Sequence, residues 1–190
     1  SAACSYEQII IVGHSMGGDV VMYCAVQSPE RVATATSIAS TGVVSDEVRK
    51  YVQEFNFKNL CQKRHKRFIE RMQSDHALAH NGDLEEFITQ TIKNCERYPD
   101  FMEAELAGIS MPFLLIYGDD DPTIGLEDVA RLENNIQYFT ARVVKNGDHH
   151  LHMPRRQGDV VNQILFDFFA LNKCPGFSGA ESLPTRPACL

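Results

Sequence analysis

Ser15 sits in the run Gly13-His14-Ser15-Met16-Gly17, the spacing G-x-S-x-G, directly after Ile9, Ile10, Ile11 and Val12. A serine hydroxyl is a poor nucleophile at neutral pH. It needs a base to take its proton and a carboxylate to orient that base and stabilise its charge. The sequence offers both. Imidazoles cluster in Asn146-Gly147-Asp148-His149-His150-Leu151-His152-Met153, and carboxylates in Gly118-Asp119-Asp120-Asp121-Pro122. Together these groups suit attack of a serine oxygen on an ester or thioester carbonyl. The same residue types also serve as metal ligands. However, His149 and His150 are consecutive in a loop and point in different directions, and the three aspartates have no matched ligands elsewhere, so a shared metal is the less natural reading. The bland alternatives are an acidic turn and histidines that cap the end of a strand.

The residues around Ser15 define the element that must hold it. Residues 9–12 form an unbroken β-branched run that reads as a fully buried parallel strand, and residues 16–27 read as a helix. A serine on so sharp a strand-to-helix turn adopts a strained backbone with its hydroxyl pushed out, and residues without side chains are expected on both sides where strand and helix pass. The helix aims its free amides and positive dipole end at the turn, which places the Met16 N–H to hold a developing oxyanion. A bare G-x-S-x-G arises by chance in roughly 5–10% of chains this long, so the flanking elements carry the argument.

A length of 190 residues suffices for one domain with a real core, and 44% hydrophobic with 23% charged residues is ordinary for a globular protein. A net charge of −7 argues against nucleic acid or anionic membrane as the main partner, and no apolar run is long enough to cross a bilayer. The sequence begins at Ser1, and its first residues do not read as a signal peptide, which leaves open one already removed. Its 6 cysteines are scattered without a C-x-x-C pair, and Cys24 and Cys95 fall on apolar helix faces. This favours a reducing setting, cytoplasmic or an organellar matrix, over a disulfide framework.

After the first helix, Pro29 stops the chain and residues 33–39 read as a small-residue strand, completing a βαβ unit. The pattern over 43–108 is helical. One stripe comprises Val44, Val48, Tyr51, Val52 and Phe55 with Ser45 as N-cap. A looser one comprises Leu60, Cys61, Phe68, Ile69 and Met72, and a third runs from Leu84 to Cys95 with Asp83 and Glu86 resembling a capping box. This block is expected to be a cap over the site, with an ordinary helical subdomain as the alternative. The basic run Lys63-Arg64-His65-Lys66-Arg67 reads as a solvated helix face. Residues 112–118 and 138–144 return to strand patterns, a helix lies between them around Leu126, Val129 and Leu132, and Val160 to Phe169 form an amphipathic final helix. Residues 172–190, rich in Pro, Gly and Ser, read as a disordered tail.

Gly13-His14-Ser15-Met16-Gly17-Gly18 resembles the nucleophile elbow of the α/β-hydrolase superfamily, and Gln27-Ser28-Pro29-Glu30-Arg31-Val32 resembles the helix exit that follows it. The resemblance continues to about Leu171 with a divergent middle, and the His-His-Leu-His-Met run is loosely similar to the serine-hydrolase-like branch. It implies an α/β fold: the C-terminal part of an α/β-hydrolase, a mostly parallel sheet flanked by helices, with core segments 1–42 and 109–171 around the cap at 43–108. It implies the order serine, acid, histidine. The superfamily's G-x-x-D pattern selects Asp121, with Asp119 and Asp120 as alternatives. The register of the histidine loop selects His149, with His150 as runner-up. The expected activity is serine-esterase chemistry on a small ester or thioester through Ser15, His149 and Asp121, with Met16 as an oxyanion amide and no cofactor or metal. The other reading is a non-catalytic hydrolase-like protein that binds a ligand or pairs through its open edge.

The sequence departs from the superfamily in one respect. The elbow normally follows the fifth strand, whereas here it begins at residue 8. The preceding strands and the loop that donates a second oxyanion amide have no counterpart, so a fragment with an exposed apolar edge at its first strand is expected. Loss of one oxyanion donor costs roughly 2.7–4 kcal/mol, and the chain alone is expected to be weakly active or inactive. Turnover typical of an intact esterase from a monomer would contradict this.

Overall fold

In the computed structural model, residues 8–61 and 66–174 are described. Four parallel strands are assembled in chain order: β1 (Ile9–His14), β2 (Val32–Ile38), β3 (Phe113–Gly118) and β4 (Phe139–Val144). Helix α1 (Met16–Gln27) joins β1 to β2. Between β2 and β3 lie α2 (Asp46–Glu54), α3 (Phe57–Leu60), α4 (Lys66–Asp75), α5 (Leu84–Cys95) and α6 (Glu103–Ala107). Helix α7 (Leu126–Asn135) joins β3 to β4, and α8 (Gly158–Leu171) follows.

Each strand presents alternate residues to two layers of helix. On one face Ile11, Ala35, Phe113 and Leu115 pack with Val21, Met22 and Ala25 of α1, Leu106 of α6 and Leu132 of α7. On the other, Ile10, Ile38, Leu114 and Ile116 pack with Val161, Phe168 and Phe169 of α8. The third strand is buried along its whole length, which explains its unbroken apolar run. The first strand corrects the expectation of full burial. It lies at the edge of the sheet, and Ile9 and Val12 remain 43% and 44% exposed. The other edge strand, β4, likewise leaves Val143 exposed.

Small residues in β2 let α1 approach the sheet. A Cβ at Gly18 would stand 2.4 Å from the Ser37 hydroxyl, and one at Gly13 only 2.0 Å from the Gly17 carbonyl oxygen. Gly17 itself differs from the expectation that both flanking positions must lack a side chain, because a Cβ there would meet nothing within 4 Å. The crowding falls on Gly13 and Gly18. Gly13→Ala is therefore expected to destabilise the fold by several kcal/mol or abolish it, since backbone on both sides cannot yield. Gly17→Ala, within a helix, is expected to be neutral or stabilising by up to about 1 kcal/mol. Thermal unfolding of the two variants checks this, and equal losses would contradict it.

In the helical segment, the Ser45 hydroxyl caps α2 by accepting from Val48 N at 3.3 Å. Asp83 caps α5 by accepting from Glu86 N at 3.0 Å, but the Glu86 carboxylate accepts from Gln90 instead of closing a capping box. Phe101 and Leu106 belong to the main core beside α7, so in packing terms the insertion expected over 43–108 ends before Phe101. Phe68 on α4 is 44% exposed and that helix buries none of its residues fully, so the α4 part of the looser stripe is a surface feature, whereas Leu60 on α3 is buried. Of the basic run, residues 63–65 lie outside the described residues, and Lys66 and Arg67 are exposed as expected. Of the expected tail, Cys174 is buried against α8 and β2, whereas residues 175–190 lie outside the described residues. No helix among the described residues is long and apolar enough to cross a membrane.

Candidate active site

Parallel strands end on one side of the sheet, so the loops leaving them gather there. Ser15 follows β1, Ser40 follows β2, the aspartates follow β3 and the histidines follow β4. Ser15 has φ 53° and ψ −123°, outside the regions a side-chain-bearing residue ordinarily adopts. Such backbone conformations cost on the order of 1–3 kcal/mol. Backbone contacts hold the turn: Ser15 N donates to Ile38 O at 2.8 Å, and Ser15 O accepts from Gly18 N at 2.7 Å and from Asp19 N at 3.3 Å. Met16 is the first residue of α1, where an amide has no partner within the helix.

The acid and histidine loops are pressed together. A Cβ at Gly118 would lie 1.9 Å from the Gly147 carbonyl oxygen, and Asp120 N donates to that oxygen at 3.0 Å. Fully buried Leu151 anchors the histidine loop from within, and Gln157 N donates to its carbonyl at 3.0 Å.

The result is a line of three side chains. The Ser15 hydroxyl is 2.9 Å from His149 Nε2, and His149 Nδ1 is 3.0 Å and 3.2 Å from the two Asp121 oxygens. Asp121 and His149 are buried, whereas Asp119 and Asp120 are exposed. His150 faces the His149 ring edge-on at 5.4 Å, and its amide donates to Asp148. Burial alone would raise the Asp121 carboxyl, but hydrogen bonds from His149 and Thr123 outweigh it and hold the group below its usual range. An ionised carboxylate only accepts, so the proton of the neutral ring lies on Nδ1. Nε2 is left with its lone pair toward the serine hydroxyl, which donates to it.

Three contributors escaped the sequence reading. Thr123 donates its hydroxyl to Asp121 Oδ1 at 2.7 Å and its amide to the same oxygen at 2.9 Å. The run Asp121-Pro122-Thr123 carries the signal for this, an aspartate accepting from the amide two residues on. His14 Nε2–H donates to the His149 carbonyl oxygen at 2.6 Å, tying the histidine loop to the serine turn. Tyr51 of α2 brings its ring within 5.1 Å of His149, and its hydroxyl is pushed up to about 12 by burial, with Asp121, Asp148 and Glu54 adding to it. The rings of His14 and His152 lie 3.9 Å apart, yet no three of the described residues are arranged to hold a metal.

A cleft of about 70 Å³ opens at Ser15, lined from the segment between β2 and β3 by Val44, Val48, Val52, Cys95, Tyr98 and Pro99. The Cys95 and Met16 sulfurs meet at 3.3 Å, joining the end of α5 to the serine turn. Asp19, one turn along α1 from Ser15, also faces the cleft and accepts from the Ser40 hydroxyl.

The half-buried acids and bases here set opposing pH dependences. Burial raises the Asp19 carboxyl to about 6, against smaller lowering effects of Ser40 and His149. Its stabilising contribution is complete below 3.8 and disappears as pH rises through about 6. Burial lowers His14 to about 4, against the raising effect of its bond to the His149 carbonyl, with the neighbouring histidines adding to the lowering. Its contribution is complete above 6.5 and is lost as pH falls through about 4. His150 and His152 are shifted in the same direction as His14. Asp19→Asn is therefore expected to stabilise the protein at pH 7 by about 1–3 kcal/mol. The variant should also lose stability more steeply than the parent between pH 6.5 and 4. Chemical denaturation at several pH values checks both, and a destabilised variant at pH 7 would contradict them.

The sequence profile of the alpha/beta hydrolase fold matches residues 2–155. No curated protein sequence matches the chain. Among solved structures, a carboxylesterase from Bacillus subtilis is 23% identical with a TM-score of 0.60, the match covering 87% of this chain and 61% of the other. A serine hydrolase from Cycloclasticus zankles is 19% identical with a TM-score of 0.59, covering 87% and 65%. A meta-cleavage product hydrolase from Pseudomonas fluorescens IP01 is 18% identical with a TM-score of 0.57, covering 87% and 65%. At these identities the likeness is one of fold, and the chain spans less than two thirds of each of these relatives.

Proposed function

The chain belongs to the alpha/beta hydrolase fold family, and we propose that it is a serine hydrolase acting on a small ester or thioester. The observation that carries the proposal is the approach of His149 Nε2 to the Ser15 hydroxyl at 2.9 Å, with the far ring nitrogen on Asp121 at 3.0 Å. In this reading His149 takes the proton as Ser15 Oγ attacks the carbonyl carbon. The negative oxygen of the tetrahedral adduct lies toward the Met16 amide. Collapse of the adduct expels the alcohol or thiol, which receives the proton from His149, and leaves an acyl group on Ser15. Water then repeats the sequence in reverse and frees the acid. Asp121 accepts from Nδ1 throughout and stabilises the charged ring.

No step in this scheme draws on a cofactor or a metal. The helices between β2 and β3 act as the cap, Tyr51 and the three valines shielding the reacting atoms from water. The small cleft suits a short acyl or alcohol group. The scattered cysteines fit a cytoplasmic or organellar compartment.

A second reading is favoured by the exposure of Ile9 and Val12 on the edge strand β1 and of Val20 and Tyr23 on α1. In that reading the protein is non-catalytic and pairs with another polypeptide through this edge. Treatment with an alkyl fluorophosphonate separates the two. The hydrolase acquires one adduct, mapped by mass spectrometry to Ser15 and absent from Ser15→Ala. A folded sample that remains unlabelled at Ser15 supports the second reading.

A further inference from the structure

Asp19 is a carboxylate that the proposed acyl-transfer chemistry leaves unused. It sits on the face of α1 that carries Ser15, its amide donating to Ser15 O at 3.3 Å, and it lines the same cleft. One of its oxygens accepts from the Ser40 hydroxyl, which in turn accepts from Gly42 N at 3.3 Å. Ser37 fixes the segment further by donating to Ser40 O at 2.6 Å. The carboxylate is thus held in one orientation by a chain of bonds across the ends of β2 and α1. Among the described residues no lysine, arginine or histidine forms an ion pair with it. The lining of the cleft is otherwise mostly apolar and aromatic, including Val44, Val52, Tyr51 and Tyr98 beside the polar groups of Ser40, Thr41 and the Ser15–His149 pair.

An anion fixed in a largely apolar cleft is costly to fold unless something positive arrives to neutralise it. Aromatic faces beside a carboxylate attract an organic cation by their ring electrons. We propose that Asp19 is a specificity-determining residue that selects substrates carrying a cationic ammonium group, an inference that rests on the serine-hydrolase reading. The ester carbonyl lies on Ser15 and the ammonium group lies toward Asp19, one helical turn away, within the cleft that Tyr51 and Tyr98 also line. Burial keeps the carboxyl near 6, so it is ionised at neutral pH and available to a cation.

The test compares two fluorophosphonates on the full 190-residue chain, one with a trimethylammonium arm and one with the uncharged tert-butyl arm of the same shape. The ammonium probe is expected to label Ser15 about tenfold faster, and in Asp19→Asn the ratio is expected to fall to within about twofold. Equal rates on the parent chain, or a ratio that survives in Asp19→Asn, would overturn the inference while leaving the hydrolase reading intact. If neither probe labels Ser15, the hydrolase reading falls, and calorimetric titration with choline and with its uncharged isostere 3,3-dimethyl-1-butanol decides the role of Asp19. Tighter binding of choline, lost in Asp19→Asn, supports cation selection. Equal binding overturns it. The comparison on the parent chain needs no variant to fold.

Discussion

Replacing His149 with alanine is expected to slow fluorophosphonate labelling of Ser15 by about 10²–10⁴-fold, the range a positioned general base supplies. The expectation follows from geometry. His149 Nε2 is the acceptor placed 2.9 Å from the Ser15 hydroxyl, and without it that hydroxyl reverts to an unactivated alcohol. The fold should survive, because the histidine loop is held by backbone contacts of Gln157 and by buried Leu151. Some stability is expected to be lost nonetheless. Asp121 is buried, and losing the imidazole leaves Thr123 as its partner. Unfolding curves measured beside the labelling rates separate the two effects. A variant that is folded and labels at the parental rate would remove His149 from the chemistry.

The second large effect is expected from Asp121→Asn, a slowing of up to about 10⁴-fold at Ser15 with little change in shape. A carboxylate forces the proton onto Nδ1. An amide turned the other way donates to Nδ1, moves the proton to Nε2, and leaves the serine facing a donor. Thr123 sharpens the argument, since its hydroxyl and amide occupy Asp121 Oδ1 and direct Oδ2 to the ring at 3.0 Å. The same substitution tests linkage. Asp121 titrates below its usual range, so its stabilising effect is complete above about pH 4 and is lost as acid protonates it in the folded state. The variant should lack that loss. Rates measured at neutral pH and unfolding measured under acid check the two halves separately.

Much of this was legible in the chain. The β-branched run at 9–12, the glycine spacing around Ser15 and the apolar run of β3 are local signals, and each element formed where its pattern lay. What stayed hidden depends on contacts across the fold. The pattern within β1 reads as buried, and the exposure of Ile9 and Val12 at the sheet edge, expected only from the position of the elbow in the chain, is not encoded in the strand itself. Gly17 looked as necessary as Gly13, because spacing does not tell which Cβ would strike backbone. Asp19 carries no signal of its own within the helix pattern, and its bond to Ser40 comes from the end of another strand. His14 and Tyr51 reach His149 only because strand register and cap packing bring distant segments together. Thr123 is the exception, a local signal in a short loop that the three aspartates before it overshadowed.

The central claim is that Ser15, His149 and Asp121 act as one proton relay, which requires a particular tautomer of one ring. Nitrogen-15 NMR of the histidine side chains, with His149 assigned through its alanine variant, reads that tautomer whether or not the chain turns over substrate. The account predicts that neutral His149 carries its proton on Nδ1, with Nε2 bare toward Ser15. A neutral ring protonated on Nε2 would contradict it, because that nitrogen would have no lone pair to receive the serine proton.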